Sequence, residues 1–200
     1  AIDEVGVPKQ VAMNASMSEI VTKKNMKRLK QMAANGPKKY PGMNYIFLDG
    51  NSANNTNSNV KKLLPGGITE EQADNWIVEG SKVKRHIMNG DIGLFNRAPS
   101  LHRQSILAMR CRILESKSLA MNPTVCIPFN ADYDGDAMKL HFVQSEEAID
   151  EAKRLMQLDK NIIHARYGKL TVATDQDQTS GLYLLSHTDK RRRNEWNSRT

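Results

Sequence analysis

Three aspartates crowded into one short segment constrain this chain more than any other feature of its sequence. They are Asp132, Asp134 and Asp136, in a chain that otherwise carries an excess of basic residues, 29 Lys and Arg against 22 Asp and Glu. A helix turns by about 100° per residue, so it would place Asp134 nearly opposite the other two. The segment is therefore predicted to be a loop or a strand end, where alternate side chains can point the same way.

Apolar side chains flank the aspartates on both sides: Val125, Cys126, Ile127 and Phe129 before them, and Met138, Leu140, Phe142 and Val143 after them. Such flanks are typical of buried strands, so the acidic turn is expected to join core elements. Close carboxylates raise one another's pKa unless a cation compensates them, and Mg²⁺ prefers hard oxygen ligands. Gly135 permits backbone angles that close a loop around one ion. The segment is a candidate magnesium site.

Three other kinds of site have a similar sequence pattern. A solvated acidic turn is the simplest of them. An EF-hand that begins at Asp132 needs Gly at its sixth position and Glu at its twelfth, where this chain has Ala137 and Val143, so that site is excluded. An aspartyl phosphatase also uses DxDG after an apolar strand. Here Pro128 interrupts the preceding apolar run, and Asp136 stands where that family generally has Thr or Val, so this reading is the runner-up.

Short apolar stretches separated by Gly and Pro follow one another from Trp76 onward. This spacing is typical of a compact barrel with little helix inside it, and the fold class is predicted as α+β and rich in β-structure. The predicted strands lie at 44–48, 77–78, 83–87, 92–95, 111–114, 119–121 and 125–127, and a further β-like unit begins near Ile162.

Three helices are predicted from apolar residues at helical spacing and from capping residues. They begin at Ser18, Ser100 and Glu146, and they end before Asn35-Gly36-Pro37, at Met109 and at Leu158. Asp49-Gly50 is a hairpin signal, and the Asn, Ser and Thr residues of 51–59 predict an exposed loop. Neither that loop nor the basic run 190–193 is assigned a role.

The charge and the cysteines narrow the class of protein. A formal net charge of +7 favours a polyanionic partner, with nucleic acid as the first candidate. Cys111 and Cys126 lack the spacing of a zinc site or a disulfide framework. No apolar run approaches the roughly 20 residues that span a bilayer, so no membrane partner is predicted. Because the chain starts at Ala1 without Met, we expect it to be an internal piece of a longer protein.

The segment 130–136, NADYDGD, resembles the NADFDGD signature of the largest subunit of multisubunit DNA-directed RNA polymerases, with Tyr133 in place of Phe. The run 95–103, FNRAPSLHR, is similar to that family's FNRxPSLHR, and Arg85-His86 with Asn89-Gly90-Asp91 is similar to the segment just before it. The order and spacing of these motifs also agree with the family. The likeness runs from about Asp3 to Leu185.

The resemblance implies a fold. The strand-rich middle, about 76–145, would be the double-psi β-barrel that this subunit contributes, inside an active-site domain at 1–158 with flanking helices. Residues 159–200 would begin a pore or funnel domain. Both assignments follow from the likeness to the family, and the barrel agrees with the strand spacing described above.

The resemblance also implies a chemistry. Asp132, Asp134 and Asp136 would hold the catalytic Mg²⁺ for nucleotidyl transfer by two metal ions. Arg97 and Asn130 match family residues that contact the sugar hydroxyls of the incoming ribonucleoside triphosphate, and a guanidinium fork and an amide suit hydroxyl recognition. The chain alone is expected to be inactive. A non-catalytic nucleic-acid-binding module is the alternative from a different class.

The implied partners are the second-largest polymerase subunit, the other polymerase subunits, template DNA, nascent RNA and ribonucleoside triphosphates. The details resemble archaeal and eukaryotic subunits more than bacterial ones, and we favour the archaeal type. The implied location is the cytoplasm, in association with the nucleoid, for an archaeal subunit and the nucleus for a eukaryotic one. Departures from the family pattern occur at Ala137, at Lys139 and at Phe142-Val143, and none of them removes a predicted metal ligand.

Overall fold

The structure, a computed structural model, describes residues 1–47, 60–63, 66–164, 166–174 and 177–187. The predicted turn at Asp49-Gly50, the loop 51–59 and the basic run 190–193 lie outside these ranges. The strands within them are β1 Glu4–Pro8, β2 Met17–Ile20, β3 Met43–Phe47, β4 Val60–Lys62, β5 Lys82–Arg85, β6 Ile92–Asn96, β7 Ile106–Leu114, β8 Ala120–Met121 and β9 Lys139–Phe142. The α-helices are α1 Lys9–Asn14, α2 Met26–Asn35, α3 Glu70–Trp76, α4 Cys126–Phe129, α5 Glu146–Leu155 and α6 Asp177–Ser186.

One sheet has five strands in the order β8-β1-β7-β6-β9. β1 and β7 pair in parallel, whereas β6 pairs antiparallel with both β7 and β9. Phe95 and Leu107 from this sheet pack with Phe129 of α4 in a core whose members are at most 3% exposed. On the other side, α5 covers β6 and β7 through Ala152, which packs with Ile92 and Ala108. The acidic segment follows α4 and leads into β9, an edge strand of this sheet.

The second sheet has four strands in the order β2-β5-β3-β4. It carries its own core, in which Leu29 and Met32 of α2 pack with Ile46 of β3 and Val83 of β5. The mixture of helices and two sheets confirms the α+β class. Both sheets are open within the residues that the structure describes, so the closed barrel stays a prediction.

The helix ends follow from local chemistry. Thr69 and Gln72 form a reciprocal capping box at the start of α3. The Ser145 hydroxyl accepts from the amide of Ala148 at 3.3 Å and caps α5. That helix has acidic residues in its first turn and basic residues in its last, as the helix dipole favours. None of the helices in the described ranges is long and apolar enough to cross a membrane.

Arg85 connects the two sheets through a largely buried ion-pair network. Its guanidinium donates to both carboxylate oxygens of Asp91, at 2.7 and 2.9 Å, and its Nε donates to Glu19. Asp91 in turn accepts from the amide of Met88 at 2.8 Å. Arg85 ends β5 in one sheet and Asp91 directly precedes β6 in the other, so this network fixes the approach of the two sheets.

Several predicted strands are confirmed, with shifted ends. The segments predicted at 44–48, 83–87, 92–95, 111–114 and 119–121 correspond to β3, β5, β6, β7 and β8, although residue 48 lies outside the described ranges. The helix predicted at 146–158 is α5, which ends at Leu155. The β-like unit expected near Ile162 is one isolated bridge between Ile163 and Leu170.

Three predicted elements are wrong, and a fourth is confirmed only in its second half. The helix predicted from Ser18 is α2, which begins only at Met26 because residues 17–20 pair with β5 as strand β2. The helix expected from Ser100 is strand β7 beyond Ile106, because β1 and β6 pair with it on both sides. Residues 77–78 follow the end of α3 and form no strand. Residues 125–127 continue into α4, since Pro123 and the capping Asn122 begin a helical turn.

Candidate metal centre at the acidic loop

The acidic loop begins where α4 ends. Phe129, the last residue of that helix, packs edge-to-face on Phe95 of β6 with ring centroids 5.3 Å apart. The next residue, Asn130, adopts the left-handed conformation with φ 48° and ψ 46°. Asn tolerates this conformation better than most residues, so it ends the helix and turns the chain into the loop. The buried phenylalanines thus fix the starting point of the loop.

The pairing of β6 with β9 brings Arg97 to the loop. Asn96 at the end of β6 lies opposite Lys139 at the start of β9, so the residue after β6 meets the residues that precede β9. Arg97 donates through Nε to Oδ2 of Asp136 at 2.8 Å and through its second terminal nitrogen to Oδ1 at 3.2 Å. The amide of Asp132 also donates to Oδ2 of Asp136, at 3.1 Å. These bonds hold both ends of the loop together.

The three predicted ligands converge. One carboxylate oxygen from each of Asp132, Asp134 and Asp136 lies within 4.8 Å of the others, and the first two side chains are exposed. Oxygen ligands of one octahedral Mg²⁺ at about 2.1 Å are separated by about 3 Å when adjacent and about 4 Å when opposite. The distances between these oxygens, at most 4.8 Å, would have to shorten by up to about 2 Å for the oxygens to occupy adjacent positions around one ion. Hard oxygen donors that are close and open to solvent fit Mg²⁺, which keeps several waters.

The charges in the loop are unequally compensated. Asp136 has a pKa below the ordinary value, first because Arg97 donates hydrogen bonds to it and then because the Asp132 amide does. Asp134 has a raised pKa, because it shares a hydrogen bond with the Asp132 carboxyl and feels its negative charge. Arg97 therefore neutralises one carboxylate, and the other two repel each other. A bound cation would relieve that repulsion.

The structure places the two predicted substrate contacts beside the aspartates. Arg97 lies at Asp136, and Asn130 lies two residues before Asp132 at the end of α4. The contact of Arg97 and Asn130 with a sugar stays a prediction. His102 and Arg103, which the sequence leaves without a role, instead face the segment beyond α5: the His102 ring lies 5.6 Å from that of His164, and Arg103 donates to Asn161 at 3.0 Å.

The sequence does not indicate what supports the middle of the loop. Tyr133 stands out only as a departure from the family signature, but its hydroxyl donates to the carbonyl of Met121 at 3.3 Å and accepts from the Cys126 thiol at 3.5 Å. The sequence signal for this contact is that a Tyr replaces the family's Phe at position 133 and that a possible partner for its hydroxyl, Cys126, lies seven residues earlier. The helix before the loop also argues against a phosphatase site, which needs a strand there.

Comparisons with known proteins identify the family of this chain. The sequence model of the family described as RNA polymerase Rpb1, domain 2, matches residues 1–158. DNA-directed RNA polymerase subunit Rpo1N of Thermococcus celer is 44% identical over 187 residues, which are 93% of this chain and 20% of that protein. DNA-directed RNA polymerase III subunit rpc1 of Dictyostelium discoideum is 43% identical over 94% of this chain and 12% of its own length.

DNA-directed RNA polymerase III subunit RPC1 of Saccharomyces cerevisiae is 40% identical, again over 94% of this chain and 12% of its own length. The chain thus spans a fifth or less of the length of these three relatives. A family model that covers 1–158 and relatives at 40% to 44% identity over nearly all of the chain establish its family. The chain belongs to the largest-subunit family of DNA-directed RNA polymerases and corresponds to the second Rpb1 domain and the residues that follow it.

Proposed function

We propose that this chain carries the catalytic metal site of a DNA-directed RNA polymerase. With its partner subunits it adds ribonucleotides to the 3′ end of RNA as the DNA template directs. The observation that supports this function best is the convergence of Asp132, Asp134 and Asp136 within 4.8 Å on a solvent-facing loop. Family membership supports the same function, because the relatives are named as polymerase subunits.

The three aspartates would hold Mg²⁺, and Arg97 fixes the third of them. A pair of metal ions, one of them held by the aspartates, would supply the polarisation that activates the RNA 3′-hydroxyl and the positive charge that stabilises the leaving pyrophosphate. Asp136 keeps a lone pair on Oδ1, since that oxygen accepts a single bond, from Arg97, among the described residues. The carboxylate can therefore keep its Arg97 contact and still bind a metal ion.

Arg97 and Asn130 are proposed to contact the sugar hydroxyls of the incoming nucleotide. A guanidinium has five N–H donors, and the two bonds from Arg97 to Asp136 use two of them. The donors that remain can reach a hydroxyl beside the metal. Asn130 is exposed at the start of the loop, and its amide offers both a donor and an acceptor. Together they would favour ribose over deoxyribose.

The remaining parts of the proposal concern the assembly. Strands β6, β7, β8 and β9 of the five-stranded sheet are proposed to belong to a double-psi β-barrel at about 76–145. The barrel would lie within an active-site domain at 1–158, and 159–200 would begin a pore or funnel domain. The second-largest subunit would complete the active site, and template DNA and nascent RNA would occupy it. The location would be the cytoplasm, at the nucleoid, for an archaeal-type subunit and the nucleus for a eukaryotic one.

Primer extension on a DNA–RNA scaffold tests the function. The assembled polymerase, built with the full-length parent subunit, is compared with its Asp134→Ala variant across a Mg²⁺ titration. Residues that only orient a metal ligand cost 10- to 100-fold when removed, so loss of a direct ligand is expected to slow extension by at least about 100-fold. Scaffold binding should be unchanged.

Asp150→Ala is the matched control, because Asp150 is exposed on α5 and pairs only with the neighbouring Lys153 among the described residues. That variant should extend as the wild type does. If Asp134→Ala also extends normally at the same Mg²⁺ concentration, the aspartates are not the metal site, and a non-catalytic nucleic-acid-binding role takes the place of this proposal.

A further inference from the structure

Tyr133 lies between two of the proposed metal ligands and reaches away from them. Its hydroxyl donates to the carbonyl of Met121 in β8, at 3.3 Å, and accepts from the thiol of Cys126 in α4, at 3.5 Å. The side chain is 68% exposed, so packing does little to hold it. The hydroxyl contacts are therefore what connects this side chain to the body of the protein.

The middle of the loop has little other support. The bond from the Ala131 amide to the Cys126 carbonyl and the bonds that Asp136 accepts from Arg97 and from the Asp132 amide hold its two ends. Between the loop and β8 there is a cavity of about 150 Å³, lined by Met121, Tyr133 and Met138 among others. A loop that spans a cavity lacks the packing contacts that would otherwise restrict it.

We propose that Tyr133 is a positioning residue for the metal loop. Its hydroxyl ties the middle of the loop to β8 and α4, and it thereby restricts the separation of the carboxylates of Asp132 and Asp134. A phenylalanine at this position would keep the ring and lose both bonds. This inference rests on the proposed function, since it concerns the same metal site.

The test is metal binding by the assembled polymerase that contains the full-length parent subunit. Mn²⁺ replaces Mg²⁺, and the loss of the free Mn²⁺ signal in electron paramagnetic resonance measures binding, with an Asp134→Ala preparation as the background for other sites. One hydrogen bond is worth about 0.5–1.5 kcal/mol, so Tyr133→Phe is expected to weaken Mn²⁺ binding about fivefold. The Mg²⁺ concentration for half-maximal primer extension should rise by a similar factor.

Tyr40→Phe is the matched control. The Tyr40 hydroxyl also donates to a main-chain carbonyl, that of Ile87 at 3.2 Å, but it does so away from the loop. This variant should unfold at a lower temperature than the wild type and bind Mn²⁺ equally well. Equal metal affinity in Tyr133→Phe and the wild type, or an equal loss in Tyr40→Phe, would overturn the positioning role.

The thiol gives a second, independent check. If it acts through the hydroxyl, Cys126→Ala weakens Mn²⁺ binding in the wild type and has no further effect in the Tyr133→Phe background. Equal effects in both backgrounds contradict the proposal. The two hypotheses also fail separately. Normal extension by Asp134→Ala refutes the metal site itself. An inactive Asp134→Ala variant together with unaltered Mn²⁺ binding by Tyr133→Phe refutes only the positioning role of Tyr133.

Discussion

Gly135 lies between two of the proposed ligands, and its backbone φ of +119° is one that residues with a side chain rarely adopt. A Cβ at this position would meet no heavy atom within 4 Å, so an alanine would be strained by its backbone angle alone. That strain is worth about 1–3 kcal/mol, and the loop can relieve it by moving. Gly135→Ala is therefore expected to slow primer extension at least about tenfold in the assembled polymerase.

Gly80→Ala is the control for Gly135→Ala, because Gly80 lies outside the acidic loop. It has a φ of +86° and the same open surroundings, but it lies in the turn before β5. Gly80→Ala should lower the thermal stability of the assembled polymerase and leave its extension rate unchanged. Equal extension rates in the two variants would show that the loop tolerates the altered backbone angle.

At the level of residues, the sequence predicts the convergence of the three aspartates better than it predicts the residues that surround them. The three aspartates are close in the chain, so their convergence needs only a local turn with Gly135. The pairing of Arg97 with Asp136 joins residues 39 apart and depends on the register between Asn96 and Lys139. A single sequence contains no direct signal for that register, because it is set by packing across the whole sheet.

At the level of elements, Arg85 is the clearest determinant of stability. Its side chain is 8% exposed and pairs with Asp91 and Glu19, which are 13% and 18% exposed. Removal of one member of a buried ion pair leaves an uncompensated charge and costs about 3–5 kcal/mol. Arg85→Ala should accelerate amide hydrogen exchange in β5 and β6, measured by mass spectrometry on the assembled polymerase.

Arg28 provides the control for that variant, because it binds the same Glu19 carboxylate from α2 but is 47% exposed. Exposed ion pairs are worth about 0–1 kcal/mol, so Arg28→Ala should change exchange little. An Arg85→Ala variant with exchange rates like those of Arg28→Ala would show that the network does not hold the sheets together.

The elements that sequence patterns misplace are those that distant segments determine. Residues 106–110 have the apolar content of a short helix, yet β6 pairs with them along their whole length and β1 pairs from Arg110 onward, so they form a strand. The opposite error occurs at 125–127, where β-branched residues suggest a strand and a local cap starts a helix. Short apolar runs are ambiguous between helix and strand, and tertiary pairing resolves them.

At the level of the whole molecule, the arrangement of the two sheets could not be read from the sequence. Each sheet has its own hydrophobic core, and the spacing of short strands suggests one barrel instead. Besides the packing of Met17 from β2 in the core of the five-stranded sheet, polar contacts between residues far apart in the chain join the two sheets. Gln144, which follows β9, is one of them: its Oε1 accepts from the Ser18 amide at 3.2 Å and from the Ser18 hydroxyl at 3.0 Å.

The side-chain nitrogen Nε2 of Gln144 forms a third bond to this segment, since it donates to the carbonyl of Ser16 at 2.9 Å. These three bonds connect the end of β9, the strand that follows the acidic loop, to β2 in the second sheet. Loss of hydrogen bonds worth about 1 kcal/mol each predicts that Gln144→Ala accelerates exchange of the Ser18 amide by about fivefold or more, whereas β7 amides keep their rates. Gln144→Glu keeps the acceptor oxygen and loses the donor, so the Ser18 amide should stay better protected than in Gln144→Ala. Unchanged Ser18 exchange in the alanine variant would mean that the two sheets are joined without this contact.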